Sequence, residues 1–138
     1  MGYKSPNTYS LAFGCTSSNP LDSTAYFFGF IQNLGLTTVF AATKIPIPRR
    51  GRITDVTFNI YNSAVEPTGE NTAFTIRKND ATDYAVYNSA FSGGLHFVSN
   101  LSIPVNIGDY IVIRIDTPAW VTNPQGTYIN GNILIETG

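Results

Sequence analysis

Short runs in which apolar and polar residues alternate recur along the whole chain, and each is bounded by turn-forming Gly, Pro, Asn, Asp or Ser. Such alternation gives a β-strand one apolar and one polar face. No window repeats apolar residues at helical spacing over three turns. Ile, Val and Thr, which favour pleated sheet, also greatly outnumber Leu. The sequence therefore predicts an all-β protein.

The alternating runs predict about eight strands, from nine candidate runs of which one is weaker than the rest. They are Tyr9–Cys15, Ala25–Gln32, Thr43–Pro48, Ile53–Tyr61, Ala73–Lys78, the weaker Tyr84–Asn88, Leu95–Val105, Tyr110–Asp116 and Thr127–Glu136. Ile53 is out of phase with Val56, which predicts a β-bulge near Thr54 and Asp55. Residues 62–71 are predicted to form a loop, and residues 106–109 a tight hairpin turn.

The domain organisation follows from length and from the connections between strands. A chain of 138 residues is long enough to bury one core. Residues 1–8 are predicted to be an N-terminal extension and residues 9–138 a single domain. Because loops instead of helices separate the strands, we expect a two-sheet jelly-roll sandwich. No repeat of fixed period indicates a propeller or a solenoid.

Charge is scarce, at 12% of residues against about 25% in an average protein. The net charge of -1 gives no general attraction for nucleic acid or for a membrane surface. The one basic run, Arg49, Arg50 and Arg52, is explained equally well by a soluble turn and by contact with anionic glycans or phosphate. No apolar run is long enough for a membrane span, and the N-terminus lacks a secretory signal pattern.

The last strand, Thr127–Glu136, carries few charges on either face. Its Ile residues predict a core-facing side. The opposite side is unusually neutral for a surface, so we expect both faces to be covered and this second face to be an oligomer interface. The predicted interface residues are Tyr128, Asn130, Asn132 and Leu134.

The sequence offers little for catalysis. The single histidine, His96, lies in a predicted strand without a nucleophile elbow or another supporting motif. The acids are scattered, and Asp80 and Asp83 stand in a turn-like setting instead of a sugar cleft. Cys15 has no partner for a disulfide, and metal-type Cys/His spacing is absent. We therefore expect no enzyme activity, no cofactor and no metal ion.

Ligand-binding candidates lie in the predicted loops. Trp120, flanked by prolines, could stack on a sugar ring while Asn123 hydrogen-bonds to it. The alternative, which we favour, is that Trp120 caps an open end of the sandwich or packs at a subunit contact. Tyr84, Tyr87 and Phe91 are further ligand candidates, on the expectation that they lie at an exposed end.

Three segments, Gly108–Arg114, Thr117–Trp120 and Tyr128–Glu136, resemble the distal modules of bacteriophage tail and head fibres. Asp22–Gly29 is similar to the early aromatic strand of the same family. A Gly-Asp-Tyr strand followed by a last apolar strand is also similar to the tumour necrosis factor and complement-head jelly rolls. The resemblance covers strand and loop patterns and no catalytic residues. It implies a tight homotrimer.

Together these features predict a trimeric phage fibre or spike head at the virion surface, which binds a host receptor or glycan without catalysis. Its expected partners are copies of itself, the host surface molecule and other virion proteins, with no nucleic acid and no membrane insertion. One alternative is a structural capsid-decoration or fibre-assembly protein. Another is a carbohydrate-binding module from a bacterial enzyme.

Overall fold

The computed structural model describes residues 7–28, 35–39 and 43–137. In these ranges the chain forms ten strands: β1 Thr8–Ser18, β2 Ala25–Phe28, β3 Ile45–Pro46, β4 Gly51–Val65, β5 Asn71–Lys78, β6 Thr82–Ala90, β7 Gly94–Val98, β8 Ile103–Val105, β9 Tyr110–Asp116 and β10 Gln125–Glu136. Within the described ranges, no helix has the length and apolar character needed to cross a membrane.

The strands form two antiparallel sheets. The first has the order β1-β10-β4-β7, with β8 also paired to β4, and the second has the order β2-β9-β5-β6, with β3 also paired to β9. Strands β7 and β8 pair with successive stretches of β4, as β2 and β3 do with β9. β7 and β8 therefore share one edge position of the first sheet, and β2 and β3 share one edge position of the second. Each sheet thus has four strand positions, and the chain passes between the sheets as in a jelly roll. The predicted two-sheet jelly-roll sandwich is confirmed.

The core lies between the sheets and is built from the inward residues of alternating strands. Isoleucines of β9 and β10 are fully buried there. A chain of aromatic rings crosses the core from Phe13 through Phe28 and Phe74 to Phe58, with centroid separations of 5.5, 6.3 and 4.7 Å. Each such pair adds about 0.5–1.5 kcal/mol beyond simple area burial. These ring contacts help to fix the position of one sheet relative to the other.

Several predicted boundaries differ from the structure. Leu95–Val105 is two strands instead of one, and Asn100, with a φ of 61°, lies in the break. The loop predicted over residues 62–71 is shorter, because β4 continues to Val65 opposite Gln125. The predicted bulge is present: Leu134 and Ile135 are adjacent, yet they pair with Asp55 and Ile53, which leaves Thr54 as the extra residue.

The two described ends of the chain lie side by side. Thr8 pairs with Glu136, and the Asn7 carbonyl accepts hydrogen bonds from the backbone N–H and the hydroxyl of Thr137 at 2.8 and 3.0 Å. Strand β1 thus begins one residue before the predicted domain start at Tyr9. Residues 1–6 of the predicted extension lie outside the described residues, as do residues 29–32 of the predicted second strand.

Cys15 provides a direct test of core integrity. Its side chain is buried on β1, and burial raises the pKa of the thiol to about 12. We expect iodoacetamide at pH 8 to leave the native protein unlabelled and to label it fully in guanidinium chloride, as measured by intact mass. Because the folded-state pKa is raised, stability should also fall as the pH rises above about 9. Rapid labelling of the native protein would contradict this burial.

Candidate interaction surface

The outer face of the first sheet is almost free of charge. It consists of residues that alternate with the core residues of four strands, and we call it the neutral face. Its members are Ala12 on β1, Thr57, Asn59 and Tyr61 on β4, Leu95 and Phe97 on β7, and Tyr128, Asn130, Asn132 and Leu134 on β10. Charged residues stand at one end of this outer face, where Asp55 is the partner of Leu134 and Arg52 is the partner of Glu136.

Strand pairing arranges the neutral face in rows across the sheet. In one row, Asn130 is opposite Asn59, which is opposite Leu95. In the next row, Asn132 is opposite Thr57, which is opposite Phe97. Each row therefore joins two polar side chains to one large apolar side chain.

Large apolar side chains on this face reach far into solvent. Phe97 is 74% exposed, Leu95 is similarly exposed, and Tyr61 lies beside Tyr128 with ring centroids 6.1 Å apart. Large apolar side chains exposed together on one face are a mark of interaction sites in soluble proteins. Beside Leu95 and Phe97 lies an open groove of about 260 Å³, which is also lined by Ala12, Thr57, Asn59, Asn130 and Asn132 among others.

The structure places the four predicted interface residues on this one face, as the alternation of β10 predicted. Tyr128, Asn130 and Asn132 are exposed and Leu134 is half-buried. No other described segment covers the exposed three. The sequence reasoning missed the partners on β4 and β7. Their alternation was visible, but the adjacency of β4, β7 and β10 depends on pairings between distant parts of the chain.

Two of the predicted ligand residues, Trp120 and Phe91, belong to the core, so the expectation that they lie exposed is wrong. Trp120 is only 6% exposed, and its ring packs 5.5 Å from that of the fully buried Phe91. The indole Nε1–H donates to the Leu21 carbonyl, and Asp22 accepts the Trp120 backbone N–H at 3.2 Å. Trp120 therefore closes one end of the sandwich, which is the alternative favoured from the sequence.

The other three ligand candidates do not converge on a common site. The Asn123 amide donates to Asp22 at 3.0 Å and so fastens the loop that carries Trp120. The Tyr87 hydroxyl donates to the Ala90 carbonyl, and its ring packs edge-on against core phenylalanines. Tyr84 is half-buried near the other end of β6, with the Lys78 ammonium 5.7 Å from its ring.

His96 packs against aromatic rings of the core. Its ring stacks on Phe58 with a centroid separation of 5.0 Å, and Nε2 lies 2.9 Å from the Ser92 carbonyl. Its Nδ1 lies 3.5 Å from the Tyr87 hydroxyl, which already donates to Ala90. Both ring nitrogens thus face groups that fix the edge strand β7. Among the described residues, no group of three His, Cys, Asp or Glu side chains is placed to hold a metal ion.

The described residues thus form a jelly-roll β-sandwich whose first sheet has an exposed, neutral outer face. Neither a protein-family model nor a curated protein matches the chain.

Proposed function

We propose that the protein is a phage fibre or spike head that assembles as a homotrimer and binds a host surface receptor or glycan without catalysis. The observation that carries this proposal is the neutral face, with its exposed Leu95, Phe97 and Tyr61. In a monomer these side chains would stay in water, where each Å² of apolar surface costs about 25 cal/mol relative to burial.

A second copy of the chain suits this face better than an unrelated charged partner. Its central rows carry no charge, so burying them incurs little of the desolvation cost that ionised groups would add. The amides of Asn59, Asn130 and Asn132 are both donors and acceptors, and they can satisfy one another across a contact between copies. Exposed aromatic side chains are also enriched at the centres of protein interfaces. The threefold stoichiometry and the receptor role rest on the resemblance to phage fibre heads.

The test of assembly compares two equally exposed side chains. Phe97→Glu on the neutral face should convert the trimer into monomers, because it would bury an unpaired charge at the contact. Ile107→Glu, at a turn residue that is also 74% exposed but lies outside this face, should leave the trimer intact. Size-exclusion chromatography with light scattering at micromolar concentration gives the mass, and circular dichroism confirms that each variant is folded. A monomeric wild type, or equal behaviour of the two variants, would contradict the proposal.

A carbohydrate-binding module is the second candidate, and the groove on the neutral face favours it. Exposed Phe97 beside the Asn59 and Asn132 amides offers a ring for stacking and groups for sugar hydroxyls. A monomeric wild type that loses glycan binding on Phe97→Ala would favour this function. A trimer that adsorbs neither to cells nor to a glycan array would instead indicate a fibre-assembly or capsid-decoration role.

A further inference from the structure

Positive charge collects at one end of the sandwich, which we call the basic end. It is the end where β3 leads into β4 and β8 leads into β9. Pairing of Pro46 with Tyr110, Gly51 with Val105 and Lys78 with Ile111 brings the four segments together there. The basic end carries Lys44, Arg49, Arg50, Arg52 and Lys78.

These five cations differ in their ion pairing from the other two cations in the described part of the chain. Arg77 pairs with Asp80 and Asp83, and Arg114 pairs with Asp116, at 2.8 to 3.0 Å. None of the five at the basic end forms an ion pair with a described residue. Lys44 instead lies 4.6 Å from the ring centroid of Tyr110, and the Lys78 ammonium donates to the Pro104 carbonyl.

Acidic side chains lie at both ends of the sandwich, and three of those at the opposite end hold loops. Asp22, Glu66 and Glu70 accept the backbone N–H groups of Trp120, Gly93 and Val121 respectively. At the basic end, Asp80 and Asp83 lie at the β5–β6 turn and pair with Arg77, Asp109 lies in the turn before β9 and accepts a hydrogen bond from the Asn79 amide, and Glu136 is the cross-strand partner of Arg52. An anion that approaches the basic end meets the five cations that form no ion pair with a described residue, offset by the carboxylates of Asp109 and Glu136 and by the Arg77 cluster.

The basic end contains an open groove of about 310 Å³. It is lined by Arg50, Gly51, Arg52, Pro104, Val105, Asn106, Glu136 and Thr137. Arg52 is anchored by a hydrogen bond from Nη1 to the Ser102 hydroxyl, which leaves other guanidinium donors for a ligand. Glu136 is the cross-strand partner of Arg52, yet the two do not form an ion pair.

We propose that this groove binds an acidic glycan, meaning a sugar that carries a carboxylate or sulfate group. Arg50 and Arg52 supply the planar donors that match such an anion. The Asn106 amide and the Glu136 carboxylate supply partners for sugar hydroxyls. Duplex DNA would bring phosphates but no free sugar hydroxyl to the Glu136 carboxylate, so for DNA the repulsion by Glu136 is not offset by a hydrogen bond. The inference deepens the proposed function by naming the receptor class, and three copies of the groove on one trimer would add avidity.

The first experiment measures binding to immobilised heparin and hyaluronate, with dextran as the neutral control and duplex DNA as the polyanion control. The wild type should bind at least one acidic glycan and neither control. Arg50→Gln with Arg52→Gln should weaken that binding about tenfold or more, because charge-assisted hydrogen bonds are lost. The matched control, Ala85→Glu with Ser89→Glu, lowers the net charge equally on exposed positions of β6 and should stay within about twofold.

Glu136→Ala separates sugar recognition from simple attraction of anions. If Glu136 accepts hydrogen bonds from sugar hydroxyls, this variant should bind the acidic glycan several-fold more weakly. If attraction alone acts, removing the carboxylate should strengthen binding to glycan and DNA alike, which would overturn the inference. Absence of glycan binding by an intact trimer would also overturn it and would leave the assembly proposal standing. A monomer that binds glycan through the two arginines would support this inference and would contradict the trimer proposal.

Discussion

Trp120→Ala is expected to lower the free energy of unfolding by about 3–5 kcal/mol, the range for removing a large aromatic side chain from a core. The indole is nearly fully buried against Phe91 and ends at the Leu21 carbonyl. Truncation would leave a cavity at the closed end of the sandwich and would loosen the loop that Asp22 holds. Urea denaturation followed by circular dichroism measures the change, with the midpoint and slope fitted separately.

Two control variants test whether the loss of stability in Trp120→Ala comes from the loss of indole packing. Val121→Ala changes the adjacent residue, which is 81% exposed, and should alter stability by less than about 0.5 kcal/mol. Trp120→Phe keeps an aromatic ring against Phe91 and should cost less than the alanine variant. If Trp120→Ala kept wild-type stability while binding to cells or glycans disappeared, the indole would be a ligand contact and its packing role would be refuted.

The burial of Trp120 shows what local sequence could not reveal. Its neighbours Pro118, Asn123 and Pro124 are typical of a surface loop, and the loop prediction was right. Phe91 and Leu21, which enclose the indole, are distant in the sequence and come together only when β1, β6 and β9 are assembled. Local polarity therefore predicted the loop but not the direction of its largest side chain.

The strands, by contrast, were largely predictable, because alternation is a local property of β-structure. Strand β9 matches its predicted limits, and the bulge at Thr54 was visible as a break in phase. Strand neighbours were not predictable from the pattern alone. The sequence thus identified the β10 part of the neutral face, while Phe97 entered it only through pairing with Thr57. The groove between Arg52 and Glu136 likewise depends on long-range pairing.

Gly131→Ala should be among the most disruptive small substitutions in the chain. Gly131 lies in the middle of β10, paired with Phe13 on one side and Phe58 on the other. A Cβ atom there would lie 2.4 Å from the Thr57 carbonyl oxygen and 2.5 Å from Cζ of Phe13. Because both obstacles belong to the paired sheet and the packed core, neither can move cheaply. We expect a loss of about 3 kcal/mol or more, at the upper end of overpacking effects, measured by urea denaturation.

The control for this substitution is Gly93→Ala, where the closest atom to an added Cβ is the Glu66 carboxylate at 3.1 Å. That carboxylate ends a flexible side chain, so we expect a cost below about 1 kcal/mol. Phe13→Leu combined with Gly131→Ala should restore part of the loss if the Phe13 ring is the main obstacle. No restoration would instead place the strain at the Thr57 carbonyl. Wild-type stability of Gly131→Ala would show that β1, β10 and β4 are not packed as closely as described. The strand register that places the residues of the neutral face side by side would then be contradicted as well.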